Sequence, residues 1–303
     1  MMKEPMLYSA FGLTIASPFP IAQAMAVEQG LPVDVAIVQS DFSDLNFMPG
    51  EHIVVREHEV LLYVPEVGKF RMTGGNRIEV DPVEGYKPAM MDVYLMGSCM
   101  GVILQQRGMF LLHGSCVTDG ERAILIVGDS GAGKSTLAAE FVAQGWRLMT
   151  DDVSAIAGIG SKPTVRSSYP TQRLWADAVA RYGGRGGEIR SLYTDGDSEK
   201  FGLDASRYFW DTQCPICLIL LLLPRALPQL IQPIEGMAKI DQLMRNTYRL
   251  YLMTPAARQE HFRRCFTLAE QVPMAFLLRD RRGQCASDSY ALIMNYLGEL
   301  EHD

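Results

Sequence analysis

Gly128-Asp129-Ser130-Gly131-Ala132-Gly133-Lys134-Ser135 is a complete G-x-x-x-x-G-K-[ST] phosphate loop, and it directly follows the apolar, strand-like run Ala123 to Val127. Glycines let backbone N–H groups curl around phosphate oxygens, Lys134 reaches the β- and γ-phosphates, and the Ser135 hydroxyl suits Mg²⁺. The next residues, Ser135 to Gln144, predict a helix with Leu137, Ala138, Phe141 and Val142 on one face and Gly145 as its stop. Its N-terminal partial positive charge points at the same phosphates. The expected nucleotide-binding set is therefore residues 128–136, with Thr136 closing it.

The chain around this loop has the composition of a soluble globular protein: 303 residues, 48% hydrophobic and 21% charged, long enough for two domains. Its formal charge of −7 and pI near 5.3 argue against a general nucleic-acid binder. The longest apolar run, Ile216 to Leu223, is too short to span a membrane and reads as a buried strand between Pro215 and Pro224. Residues 1–20 lack a charged start followed by an apolar core, so no secretory signal is read and a cytoplasmic location is expected. Six cysteines then read as free thiols. The Cys214-x-x-Cys217 pair has no second half of a zinc site and opens a strand, so buried, inert cysteines are expected there.

Composition changes once, near residue 90. Before it, Leu7–Ile15, Val33–Val38, Glu51–Arg56, Glu59–Val64, Lys69–Thr73 and Arg77–Val80 are short β-rich runs with turn signals such as Gly74-Gly75-Asn76. They predict a small, largely antiparallel N-terminal domain over 1–88, ending in a linker from Asp81 to Pro88. A helix is predicted from Ala89 to Gln106, opening an α/β domain over 89–303. Farther on, Ala256–Ala269 and Ser287–Leu300 predict helices and Met274–Leu278 a strand.

Two constellations bring chemistry to the loop. Met109 to Val117 and Ala123 to Val127 predict a hairpin turning at Asp119-Gly120, a register that sets His113 opposite Ile126, near the phosphates. The second constellation is Asp151-Asp152, after the strand-like run Trp146 to Thr150. A right-handed crossover from the loop strand brings that run to the same sheet edge, where open α/β sheets bind ligands. With the two strands taken as neighbours, one carboxylate would hold Mg²⁺ and the other would accept the proton of an attacking hydroxyl.

These residues together resemble the HPr kinase/phosphorylase superfamily. The resemblance is carried by Leu112-His113-Gly114-Ser115, then Gly128 to Ser135, then Leu148-Met149-Thr150-Asp151-Asp152. It implies a P-loop HPr-kinase-like mixed sheet with flanking helices behind a small β-rich domain, using ATP and Mg²⁺ to phosphorylate serine. It also implies Asp151 as base, His113 assisting near the acceptor, and Asp152 with Ser135 on the metal, with the order inside the Asp pair open to reversal. Glu188-Ile189-Arg190 matches the start of a later family signature, but Ser191-Leu192-Tyr193 replaces its glycine-rich continuation, so no role is carried over. Phe11-Gly12-Leu13, Ser17-Pro18, Tyr94-Leu95-Met96-Gly97, Gln106-Arg107-Gly108, Tyr169-Pro170, Arg173-Leu174-Trp175 and Glu199-Lys200 are similar to relatives that tailor lasso-peptide precursors. That likeness implies a precursor peptide with an acceptor serine as partner and leaves a homo-oligomer open.

Arg173 and Lys200 flank a segment holding Gly183-Gly184, Gly186-Gly187 and arginines at 181, 185 and 190, a composition suited to a mobile loop closing over the site. Arg173 and Lys200 are the cations expected to stabilise the transferring phosphoryl group, while Arg181 and Arg185 read as solvated. Alternatives are a kinase of an HPr-like carrier protein or small metabolite, and a regulatory nucleotide-binding module. The absence of Asn-Lys-x-Asp and Leu-Ser-Gly-Gly motifs disfavours a GTPase and a transporter ATPase.

Overall fold

Alternating burial along Gly68–Thr73, with Phe70 and Met72 inside and their neighbours half-buried, is the period-two signature that builds the N-terminal half. The computed structural model describes residues 5–300 apart from 44, 46, 49, 196–197, 225–228 and 280–285. The first eight strands are β1 (Met6–Ala10), β2 (Leu13–Ser17), β3 (Met25–Ala26), β4 (Val35–Gln39), β5 (Ile53–Val55), β6 (Glu59–Val64), β7 (Gly68–Thr73) and β8 (Arg77–Pro82). They form one sheet in the order β3-β1-β2-β4-β8-β7-β6-β5. The run from Leu7 to Ile15 is a hairpin that turns at Phe11-Gly12, both at positive φ. The sheet is largely antiparallel, as expected, with one exception: β4 runs parallel to both β2 and β8. Asp81 and Pro82 belong to β8 and Pro88 starts a helix, so the linker shrinks to residues 83–87.

A helical segment follows in three joined pieces: α1 (Pro88–Tyr94), a π-helical turn at Leu95–Cys99, and α2 (Met100–Gln106). Gly97 and Gly101 sit on the face that meets Tyr248; a Cβ at Gly101 would lie 2.7 Å from the Tyr248 ring. Leu95, Met96, Cys99, Met100, Val102, Ile103 and Leu104 are buried in a cluster that also contains Ile15, Ile37, Phe70 and Val80 from the first sheet and Leu111, Val153 and Tyr169 from beyond it. One apolar core therefore runs across residue 88.

The second sheet is built from β9 (Phe110–Thr118), β10 (Ala123–Gly128), β11 (Arg147–Thr150), β12 (Val153–Ala157) and β13 (Thr164–Arg166), and three later strands join it. A three-stranded flap contains β14 (Thr171–Trp175), β15 (Ile189–Asp195) and β16 (Ser198–Asp204), in the order β14-β16-β15. The three later strands are β17 (Cys214–Pro224), β18 (Leu230–Pro233) and β19 (Met274–Arg279), giving the order β10-β9-β12-β13-β17-β19-β18, with β11 on β9 and β10 also on β17. The remaining helices are α3 (Lys134–Ala143), α4 (Ala176–Tyr182), α5 (Met237–Arg245), α6 (Pro255–Gln271) and α7 (Ala286–Leu300). The fold is thus a mixed α/β architecture behind a β-rich N-terminal region.

Two expectations about register need correction. The β9–β10 turn spans Asp119 to Arg122, whose amides at 121 and 122 both donate to Asp119 Oδ1, so Thr118 pairs with Ala123 and Ile126 faces Ser115 rather than His113. The wider turn moves His113 two positions farther along, level with Gly128 and one beyond the last β9–β10 pair, and on its other side it pairs with Val153 of β12. The strand Arg147–Thr150 is also not the neighbour of β10. It pairs with the far side of β9, which lies between them, and the crossover through α3 spans two strand spacings. Nor are Gly183 to Arg190 an open loop: Gly183–Arg185 form one 3₁₀ turn after α4, and a Cβ at Gly186 would lie 2.6 Å from Leu203.

Close strand contact on β9 depends on Gly114, where an added Cβ would lie 2.5 Å from the Ile126 carbonyl oxygen. Gly114→Ala is expected to destabilise the fold by about 2 kcal/mol, by forcing β9 from β10. Gly184→Ala, at a position with open space around it, should stay within about 0.5 kcal/mol. Urea denaturation of the two variants beside the parent chain measures both.

Candidate active site

β10 ends at Gly128 with φ 140°, where a Cβ would lie 2.8 Å from the Leu222 carbonyl oxygen, so glycine is required both for the turn and for β17 to pack beside it. The chain then turns through Gly131 and Gly133, both left-handed, before α3 opens at Lys134. Lys134 is only 8% exposed, and its Nζ donates to the carbonyls of Gly128 at 2.8 Å and Asp129 at 3.0 Å. Burial lowers its pKa, and the charges of Asp151 and Asp152 oppose that shift.

Asp151 is 1% exposed, and its carboxylate collects three donors from three elements. Ser135 Oγ of α3 donates to Oδ1 at 2.8 Å, Ser115 Oγ of β9 makes a short bond to the same oxygen, and the Arg173 amide of β14 donates to Oδ2 at 2.6 Å. Asp152 takes a left-handed conformation, φ 86°, uncommon outside glycine but better tolerated by Asp than by most residues, and this bend separates its partners from those of Asp151. His113 Nδ1 lies 3.0 Å from the Asp152 carbonyl oxygen and 3.3 Å from its Oδ1, while Arg173 Nη1 pairs with Oδ2 at 2.8 Å. Burial would raise the Asp152 carboxyl, but Arg173 and His113 hold it well below the usual carboxylate range.

Arg173 stands on β14 with 6% exposure, not beside a mobile loop. Its Nε donates to Gln23 Oε1 at 3.1 Å and its Nη2 to Tyr169 Oη at 3.0 Å, which completes the fork begun on Asp152. Burial works against its charge, and the neighbouring Tyr169 and Asp152 more than compensate, so its pKa is raised. Lys200 lies across the flap from Trp175, its Nζ 4.6 Å from the indole ring centre. Burial lowers its pKa against the pull of Asp151 and Asp152.

The expected residues surround two adjoining cavities. One, about 450 Å³, is lined by Ser130 to Thr136, Asp151, Asp152, Arg173 and Lys200. The other, about 560 Å³, lies between the π-helical turn and residues 245–251. His113, Ser130, Asp152, Arg173 and Tyr193 line both. The oxygen donors Ser135 Oγ and Asp151 Oδ1, side by side at the loop, fit a Mg²⁺ ion that takes its other ligands from phosphate and water. The loop amides and Lys134 fit a nucleotide triphosphate in the first cavity.

Sequence reading missed three members of this site. Ser115 shares a strand face with His113, a period-two relation that was visible in Leu112-His113-Gly114-Ser115. Arg279 ends β19 on the loop's side of the parallel strands and donates to the Ala132 carbonyl at 2.6 Å; an arginine closing an apolar strand was its signal. Gln23, in a segment without periodicity, carried none. Cys214 and Cys217 are set apart from the site, and burial pushes both thiols up, Cys217 to about 12.

Residues 107–173 match the HPr Serine kinase C-terminal domain family. Over that segment the chain resembles HPr kinases. An HPr kinase/phosphorylase from Mycoplasmopsis pulmonis (strain UAB CTIP) is 35% identical over 95 residues, 31% of this chain, and the chain spans only 30% of that relative's length. The structure of the HPr(Ser) kinase/phosphatase from Coxiella burnetii aligns with 63% of this chain and 93% of its own at 12% identity and a TM-score of 0.33. Among the described residues, no helix is long and apolar enough to cross a membrane.

Behind Arg173, Asp92 is buried, and its Oδ2 accepts from the Gln23 amide at 3.1 Å while its Oδ1 has no hydrogen-bond partner among the described residues. Burial pushes its carboxyl up to about 6, from an ordinary 3.8. A raised carboxylate pKa means the fold prefers the protonated form. The stability this group contributes is complete below pH 3.8 and is lost as pH rises through 6, at a cost of about 3 kcal/mol once ionised. Asp92→Asn should therefore raise the thermal midpoint relative to the parent at pH 8 and lose most of that advantage at pH 4.5. A difference independent of pH, measured by calorimetry, would contradict the assignment.

Proposed function

We propose that this chain is an ATP-dependent kinase that transfers the γ-phosphoryl group to a serine hydroxyl of a peptide, with a ribosomal precursor of lasso type as the preferred acceptor. The observation that carries this reading is the meeting of two cavities at His113, Asp152 and Arg173: a nucleotide-sized space over the phosphate loop and a second space for an acceptor. A regulatory nucleotide-binding module would need only the first. The likeness to the HPr kinase/phosphorylase of Mycoplasmopsis pulmonis supports a carrier-protein acceptor as the second reading.

Within the Asp pair, the contacts support the reverse of the order implied by the resemblance. Asp151 shares Oδ1 with the Ser135 hydroxyl, which suits it to Mg²⁺. When bound, Mg²⁺ would neutralise and align the β- and γ-phosphates. Asp152 faces His113. Both groups beside Nδ1 are acceptors, the Asp152 carbonyl and carboxylate oxygens, so Nδ1 carries a hydrogen, and in the neutral ring Nε2 holds the lone pair. His113 lines the acceptor cavity, so Nε2 is placed to take the serine proton, and the Asp152 charge stabilises the imidazolium that forms. Arg173 keeps Asp152 ionised. Lys200 and Arg279 line the phosphate cavity as cations for charge spreading over the transferring group.

Lys134→Ala is expected to lower transfer of labelled phosphate from ATP to acceptor peptide by about three orders of magnitude or more. Asp151→Asn should raise the Mg²⁺ concentration needed for half-maximal rate, whereas Asp152→Asn should lower kcat about 10²–10⁴-fold with an unchanged Mg²⁺ requirement. Titrating Mg²⁺ with each variant separates the two orders: loss of kcat in Asp151→Asn at an unaltered Mg²⁺ midpoint would restore Asp151 as the base.

A further inference from the structure

The acceptor cavity contains, in Arg249, a charge that neither phosphoryl transfer nor a carboxylate ion pair among the described residues uses. Arg249 lies in the segment that follows α5, at φ 46°, a left-handed conformation uncommon for arginine. Its neighbour Tyr248 is wedged against the π-helical turn, because Gly97 and Gly101 leave room for its ring; a Cβ at Gly97 would lie 3.3 Å from the phenol oxygen. The Tyr248 amide is tied to β9 by a bond to the Leu111 carbonyl at 3.0 Å. The backbone that presents Arg249 is therefore fixed by the strand that carries His113.

The partners of the guanidinium are phenols. Nε donates to Tyr248 Oη at 3.3 Å and Nη1 donates to Tyr251 Oη, and no carboxylate among the described residues forms an ion pair with it. Arg245, on the rim of the same cavity, is already paired with Asp241 at 2.8 Å. Each phenol accepts from Arg249 and so keeps its own hydroxyl hydrogen to give. The second guanidinium nitrogen and two phenol hydroxyls thus form a set of donors with no acceptor assigned to it, which is the receptor a carboxylate requires. Burial opposes the Arg249 charge, and Tyr248 and Tyr251 sustain it, so the guanidinium stays cationic.

We propose that Arg249, with Tyr248 and Tyr251, anchors a carboxylate of the acceptor peptide and so seats the acceptor serine at His113. This rests on the peptide-kinase reading and adds to it a rule for choosing the serine. The Tyr248 ring centre lies 6.1 Å from that of His113 and 5.5 Å from Arg249 Cζ. Such a separation is bridged by roughly one to three residues of extended chain. The carboxylate therefore belongs to the chain terminus at the serine itself, or to an acidic side chain within two residues of it.

The test uses four fluorescent serine peptides of one common sequence: serine at a free C-terminus, the same serine amidated, serine followed by glutamate, and serine followed by glutamine, the last two amidated. Binding to the full chain with Mg·ADP is read by fluorescence polarisation, and phosphate transfer from Mg·ATP is read separately. The free-terminus or the glutamate peptide should bind on the order of tenfold or more tighter than its neutral counterpart, and which of the two does so identifies the carboxylate's source. Arg249→Asn, with a residue that tolerates left-handed backbone, should abolish that preference, and Arg249→Lys should restore part of it. Equal binding of charged and neutral peptides, no binding of any of them, or a preference that survives Arg249→Asn would overturn the anchor. Carboxylate-dependent binding without any phosphate transfer would support the anchor and overturn the kinase reading, so the two failures are distinct.

Discussion

Two adjacent carboxylates in a protein interior repel each other and lose their hydration, and they persist only where each finds its own set of donors. Asp151 and Asp152 meet this constraint by a single left-handed residue, which gives them different partners. Asp151 gathers the hydroxyls of Ser115 and Ser135 and the Arg173 amide, so strand β9, the first turn of α3 and strand β14 are drawn to one point. Asp152 takes His113 and the Arg173 side chain. A change in any of these elements leaves a buried charge without its donors, a larger penalty than the loss of one surface contact.

The cost of that arrangement reaches into the N-terminal half. Arg173 is itself buried, and its guanidinium completes its bonding on Tyr169 and on Gln23, which lies far back in the chain. Gln23 in turn is held by Asp92 of α1. The N-terminal sheet, the interrupted helix and the transfer site therefore share one polar chain as well as one apolar core. The π-helical turn has a physical reason within it: its small residues bring the helix close enough to Tyr248 to shape the acceptor cavity, and such turns are tolerated where a site repays their weaker hydrogen bonding.

Local chemistry was readable in the chain and long-range pairing was not. The glycines and Lys134 of the loop, the helix after it and the apolar strand before it are short-range patterns, and each took the form its periodicity implied. His113 and the Asp pair were placed at the loop from turn and crossover rules, yet both routes were off in detail. Asp119 caps a wider turn than Asp119-Gly120 alone, and β9 inserts between β10 and β11, a pairing decided by contacts across the sheet rather than by neighbours in sequence. The parallel placement of β4 is illegible for the same reason. Arg173 was singled out, but its burial depends on Gln23 and Tyr169, neither of which has a pattern that points to it.

Phosphate loops are built from backbone amides and glycine geometry, so they look alike wherever they occur and carry little information about the acceptor. The segment that matches the HPr Serine kinase C-terminal domain, residues 107–173, contains the loop, His113, both aspartates and Arg173. The acceptor cavity is completed from outside it, by Met90, Val93, Tyr94, Gly97 and Ser98 on one wall and by residues 245–251 on the other. On the proposed reading, the matched segment would supply the groups that bind phosphate and move a proton, and the unmatched walls would select what presents the hydroxyl. Likeness to a carrier-protein kinase therefore bears on the transfer step far more than on the acceptor. On the same reading, the choice of acceptor would rest with Tyr248, Arg249 and the helix packed against them, whose charge and shape the loop does not dictate.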